Sequence, residues 1–169
     1  MIERNAVFAV GNRKFRLLEF DGRREAYWAI DIVRDDVWPY KAYTDDLIAK
    51  LAAGTAKVIE DPLPKDAIPE DELTEKARKR IDEKIWPAIK VLLGAGSDIY
   101  VPSRRGKRVR AVAADYSLSL PTVRKHLRRA LQGGGVKAAI IPQFHKCGGP
   151  GARRIPKQSG PKRGRPTLY

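Results

Sequence analysis

The sequence predicts an α+β protein: a small antiparallel β-rich domain, then a three-helix helix-turn-helix domain, then an extended basic C-terminal arm. Three observations predict it. Residues 5–33 are rich in β-branched and aromatic side chains and are cut by two hairpin turn signals. Residues 104–131 carry apolar side chains at helical spacing on either side of a short polar break. Charge is unevenly divided along the 169 residues, whose formal net charge is +14: residues 1–71 hold 11 Lys+Arg against 14 Asp+Glu, residues 72–102 hold 6 against 5, and residues 103–169 hold 17 against 1. A near-neutral half therefore precedes a half suited to a polyanion.

In chain order, NAVFAV, KFRLLEF and EAYWAIDIV read as strands separated by Gly11-Asn12 and Asp21-Gly22. Trp38, Tyr40 and Tyr43 then lead into Thr44-Asp45-Asp46, a capped start for the short helix DDLIAKLAA, which Gly54 ends. KVIE supplies a last strand, and residues 1–60 make a compact, barrel-like domain. Trp28 and Trp38 are assigned to its core. The alternative, a platform on which bases stack, suits a basic surface better than this near-neutral one. Residues 61–71, DPLPKDAIPED, form a linker held extended by three prolines and alternating charge.

Residues 72–132 are helical. The first helix spaces Leu73, Ala77, Ile81, Ile85 and Ile89 four apart, with Trp86 alongside and Pro87 expected to bend or break it. GAGSDIYVPS enters the helix-turn-helix with Ile99 and Tyr100 tucked beneath. On the next helix Val109, Val112 and Ala113 make the buried face and leave Arg104, Arg105, Lys107, Arg108 and Arg110 for solvent or phosphate. On the last, Val123, Leu127 and Leu131 lie four apart, and Arg124, Lys125, Arg128 and Arg129 cover the remaining surface. The turn has the required residues: small Ala113 where the helices cross, Ser117 at the turn, apolar Leu118 after it and β-branched Val123 in the second helix. Gly is usual at the turn, so Ser117 costs about 1 kcal/mol if its φ is positive. Ser119 can cap the second helix, and Pro121 suits its first turn. Two surface helices of an ordinary core are the plain alternative, which leaves the almost wholly cationic surface unexplained. After Leu131 the chain loosens, although Val136, Ile140, Ile141 and Phe144 can still dock. Residues 133–169 form the arm, whose Gly, Pro, Lys and Arg composition cannot bury a core.

This pattern points to double-stranded DNA. Arginine forks onto guanine O6 and N7, whereas lysine and peripheral arginine more often hold phosphates. Arg124, Lys125 and Arg128 are one-sided enough to face a groove, Ser119, Pro121 and Thr122 stand at the helix start, and Arg104, Arg105, Lys107, Arg108 and Arg129 surround them. In the arm, Arg153 and Arg154 precede PKRGRP, where Lys162, Arg163, Gly164 and Arg165 make a thin AT-hook-like strip suited to a narrow minor groove. A cationic linker touching phosphates alone is the alternative there. Catalysis finds no footing. His126 reads as a packing or phosphate residue, His145 and Cys147 lack a second pair at zinc-ligand spacing, and Asp31, Asp35, Asp36, Asp45 and Asp46 suit strand end, turn and helix cap. No phosphate-cradling Gly loop, nucleophile elbow or HExxH occurs. No cofactor or metal is therefore expected in this chain. A single cysteine, Cys147, excludes an internal disulfide and suits the cytoplasm; no signal peptide or membrane span is seen.

These residues carry a resemblance. LPTVRKHLRRALQGGGVKAAIIPQF, then GGPGARR, then GPKRGRP is similar to the N-terminal region of TnsB-type transposases, the DDE transposase subunit of heteromeric cut-and-paste elements related to phage Mu. Leu127, Arg128, Arg129, Gly133, Ile141, Pro142, Phe144, Gly148, Gly149, Gly164, Arg165 and Pro166 match, whereas Ala130 and Leu131 replace an aromatic pair. The resemblance implies sequence-specific binding at repeated sites on transposon ends in a bacterial, nucleoid-associated setting. It also implies self-association on DNA and partners in an AAA+ transposition regulator and an endonuclease subunit. A catalytic domain using Mg2+ would follow the arm in that family; this chain reaches Tyr169 first, so DNA binding alone is carried over. A free-standing helix-turn-helix transcriptional regulator is the other reading, told apart by a two-fold rather than a directly repeated site. RNA binding through the basic tail would show instead as equal affinity for single strands.

Overall fold

The computed structural model describes residues 2–62 and 74–141. Strands β1 (Val7–Val10), β2 (Arg13–Asp21), β3 (Ala26–Asp31), β4 (Tyr40–Tyr43) and β5 (Ala56–Ile59) form one antiparallel sheet in the order β4-β3-β2-β1-β5. The Gly11 turn takes φ +55° and sets Val10 opposite Arg13, as the turn signal requires. β4 was not expected as a strand; it pairs with β3 through Ala29 and Tyr40, and YKAY is too short to announce itself. No ladder joins β4 to β5. Helix α1 (Thr44–Ala52) packs against both edge strands instead. Thr44 does not cap α1, because its hydroxyl donates to Glu25 O at 2.7 Å. Gly54, at φ +68°, ends the helix as expected, its N–H donating to Leu51 O.

The sheet is apolar on both faces. Phe15, Leu17, Tyr27 and Ala29 join Phe8 and Leu47 in a small core under α1. The alternate residues, Leu18, Trp28 and Ile30, face the other way into the core of the helices. A bulge between Leu17 and Glu19 keeps both sets in register with β3.

The helical part opens with α2 (Glu75–Arg80), whose first turn is capped by Thr74 Oγ1 accepting from Ala77 N–H at 3.3 Å. Pro87 does not break the helix that follows. A π turn over Ile81–Ile85 lets Trp86 N–H reach back five residues to Ile81 O, so the missing proline donor is absorbed and α3 (Trp86–Leu93) continues. A 3-10 turn, Gly96–Ile99, leads to α4 (Pro102–Asp115) and α5 (Leu120–Gln132), and a second, Lys137–Ile140, closes the described chain. α3, α4 and α5 pack pairwise around Ile89, Leu92, Ile99, Val109, Val123, Leu127 and Ile140. The α+β class stands as expected. Of the arm, residues 133–141 are described, with Ile140 and Ile141 docked in the helical core as expected and Val136 exposed instead; its remainder and most of the linker lie outside the described residues.

The sheet and helices are also joined by polar bonds. Arg16, 2% exposed, donates from Nε to Gln132 O at 2.7 Å, from Nη1 to Asn5 O at 3.2 Å and from Nη2 to Asp61 at 2.6 and 2.7 Å. Gln132 Nε2 in turn donates to Asp31 O and Arg34 O, both at 2.8 Å.

Candidate nucleic-acid interface

Helices α4 and α5 are joined by residues 116–119. Leu118 N–H donates to Ala113 O at 2.9 Å and Ser117 N–H to Ala114 O at 3.1 Å, which closes a turn tight enough to force Ser117 to φ +50°. Ala113 and Val123 are buried at the crossing, and Leu118 packs on the core beside them. The four positions singled out in the sequence therefore fill the roles their side chains suit. Ser119 Oγ accepts from Thr122 N–H at 3.3 Å, and the two hydroxyls lie 2.8 Å apart. This caps α5 and fixes its first turn, with Pro121 in place. Ser119, Pro121, Arg124 and Lys125 all face solvent there.

The expected DNA-contacting cations do not share one environment. Lys107, Arg124 and Lys125 are exposed and make no ion pair among the described residues. Arg104 and Arg108 are exposed but converge on one carboxylate, Nη1 and Nη2 lying 2.9 and 3.1 Å from the two oxygens of Asp98. The two guanidinium groups hold the Asp98 carboxyl below the usual carboxylate range. Arg105 is a correction: it points inward, 9% exposed, and donates to Ile99 O and Tyr100 O at 3.3 and 3.2 Å. Its guanidinium lies 4.1 Å from the Trp38 ring centre, and burial together with nearby Arg124 lowers its pKa. Trp38 is thus a half-buried post for cations of this chain, and Trp28 alone of the pair is full core. Arg128 departs from the expected groove-facing row as well. It is half-buried, with Nη1 donating to Asp36 O at 3.3 Å and Cζ 5.2 Å from Trp38.

α5 is therefore divided. The loop joining β3 to β4 covers its C-terminal half through Arg128 and Gln132, and its N-terminal half is left open. His126 lies at the boundary, half-buried, with Nδ1 enclosed and lacking a hydrogen-bond partner. Burial, with Arg129, Lys125 and Arg80 around it, pushes its pKa down to about 4. Arg129 is half-buried beside it. Arg153, Arg154, Lys162, Arg163, Gly164 and Arg165 lie outside the described residues, as do His145 and Cys147.

The acidic residues have local roles, Asp31 at the strand end as expected, but neither Asp45 nor Asp46 caps α1. Asp31 Oδ1 accepts from Val33 and Arg34 N–H at 2.8 and 3.0 Å, Asp36 pairs with Arg34, and Asp46 pairs with Lys50. Among the described residues no group of three or more His, Cys, Asp or Glu is placed to hold a metal, and no helix is long and apolar enough to cross a membrane. Sequence reasoning missed Asp98, the cation post at Trp38 and the Arg16–Gln132 bond. Only the first had a local signal, as the sole acid between Glu83 and Asp115.

Family comparison adds two findings. A model described as the TnsB N-terminal SH3-like domain matches residues 1–62, and one described as the TnsB second domain matches residues 82–144. No curated protein matches the chain.

Proposed function

Because the chain belongs to the TnsB family of transposases and carries N-terminal, DNA-binding domains of that type, we propose that it binds double-stranded DNA sequence-specifically at repeated sites on transposon ends. The open half of α5 is the observation that carries this reading. A capped helix start exposes Arg124 and Lys125 with no carboxylate among the described residues to neutralise them, which is the geometry a reading helix needs in the major groove. Arg104, Lys107 and Arg108 on α4 then take backbone phosphates on the flank. The arm, through Arg153, Arg154, Lys162, Arg163, Gly164 and Arg165, follows the adjacent minor groove. No cofactor takes part in this binding; Mg2+ belongs to the catalytic domain of the family. An AAA+ regulator, an endonuclease subunit and further copies on the DNA are the partners this reading implies, in a bacterial cytoplasm at the nucleoid.

The test is electrostatic and base-specific together. With about 6–10 phosphate contacts, affinity falls about a thousandfold or more between 50 and 200 mM salt. Arg124→Ala relaxes preference at one base pair at a cost of about 1–3 kcal/mol, whereas Arg153→Ala or Lys107→Ala weakens all duplexes alike. Footprints on duplexes carrying element ends, read beside mobility shifts on random duplexes, measure both. A flat salt dependence, or equal affinity for single strands, overturns the reading.

A further inference from the structure

We infer that Trp38 is a positioning residue for the reading helix: it holds the C-terminal half of α5 so that Arg124 and Lys125 meet the bases in one fixed pose. This rests on the reading of α5 proposed above and assigns the sheet domain a part in specificity.

The ring of Trp38 meets a guanidinium from each helix of the pair, Arg105 of α4 at 4.1 Å and Arg128 of α5 at 5.2 Å from its centre. Both arginines are also tied by carbonyls: Arg105 to Ile99 and Tyr100, Arg128 to Asp36, two residues before the tryptophan. One helical turn beyond Arg128, Gln132 donates to Asp31 O and Arg34 O at the start of the same loop. α5 is thus held twice along its sheet side, and the same ring touches a cation of α4, so the pair is tied by cation–π contacts as well as by apolar packing.

Specificity feels such a grip more than affinity does. The attraction of a cation to phosphate falls slowly with distance, so a small swing of the helix changes it little. A forked hydrogen bond to a base edge weakens steeply with misalignment and is lost by about 3.6 Å. Loosening α5 should blur base discrimination and leave phosphate binding nearly intact.

The experiment selects a duplex from a random pool with the full chain, then measures affinity for that duplex and for a scrambled one of equal composition. Circular dichroism fixes a temperature at which every variant is folded. Trp38→Leu, which keeps bulk but removes the ring face, is expected to lower the selected-to-scrambled affinity ratio about tenfold. Scrambled affinity changes less than about threefold and its salt slope stays put. Trp38→Phe restores most of the ratio, and Trp38→Met replaces the leucine variant if that chain fails to fold. An intact ratio in the ring-free variant, or an equal loss on both duplexes, overturns the inference alone. A wild-type chain that selects no sequence overturns the reading of α5 and this inference with it.

Discussion

His126 is a half-buried imidazole among cations, with a folded pKa of about 4 against an ordinary value of 6.5. Between those two values the unfolded chain takes up a proton that the folded chain refuses. Stability is therefore fully present above about pH 6.5 and is lost as pH falls toward 4, by roughly 1–2 kcal/mol once partial exposure is discounted. His126→Gln should flatten that part of the profile, read as the urea midpoint at pH 7.5 and pH 5. Asp98 makes the opposite kind of contribution. It pairs with Arg104 and Arg108, two cations assigned to phosphates, in the N-terminal half of α4. Asp98→Asn frees both guanidinium groups and removes a charge that repels phosphate. Random-duplex affinity should rise about twofold to tenfold, with a salt slope steeper by about one to two. Mobility shifts at several salt concentrations check this; weaker binding would mean that the carboxylate serves the arginines as a post.

The elements differ in how strongly local geometry constrains them. Ser117 holds φ +50° in the α4–α5 turn, where Gly would sit without strain. Ser117→Gly relieves roughly 1 kcal/mol and returns part of it through the freer unfolded chain, so a net gain of a few tenths of a kcal/mol is expected in thermal melts. At the end of α5 the reverse holds. A Cβ on Gly133 would lie 2.1 Å from that of Ala139, next to buried Ile140 and Ile141, so Gly133→Ala should cost about 1–3 kcal/mol. The helix-turn-helix was legible because its roles sit within a dozen residues and depend on short-range sterics: Ala113, Ser117, Leu118, Ser119 and Val123 each act on neighbours in sequence. Arg105 was misread: 105, 109, 112 and 113 form one helical stripe, but its charge argued for solvent. β4, the π turn ahead of Pro87 and the inward turn of Arg128 were not legible. Each depends on a partner distant in sequence or on a helix register that periodicity alone does not reveal.

At the scale of the whole molecule, the sheet and the helices share a core. Leu18, Trp28 and Ile30 belong to the cluster that holds Ile89, Leu127 and Ile140, and the rings of Trp28 and Tyr100 lie 5.6 Å apart. The near-neutral half of the sequence therefore braces the cationic half. The continuous apolar run AYWAI, and the adjacent Leu17 and Leu18 at the bulge, which go to opposite faces, are what a sheet covered on both faces requires. Arg16 is the polar member of that buried face, and its guanidinium spans three segments: the N-terminal turn at Asn5, the chain after β5 at Asp61 and the end of α5 at Gln132. Arg16→Met keeps most of the apolar bulk but strips the carbonyls of Asn5 and Gln132 of their donor, a loss of about 2–4 kcal/mol. A joint that serves both halves at once also sets how they come apart. Strand amides of β3 and helix amides of α5 should exchange with the same free energy in the wild type, and both should fall together in the variant. Hydrogen exchange resolved along the chain measures this directly, and protection lost in β3 but kept in α5 would show the helices standing without the sheet.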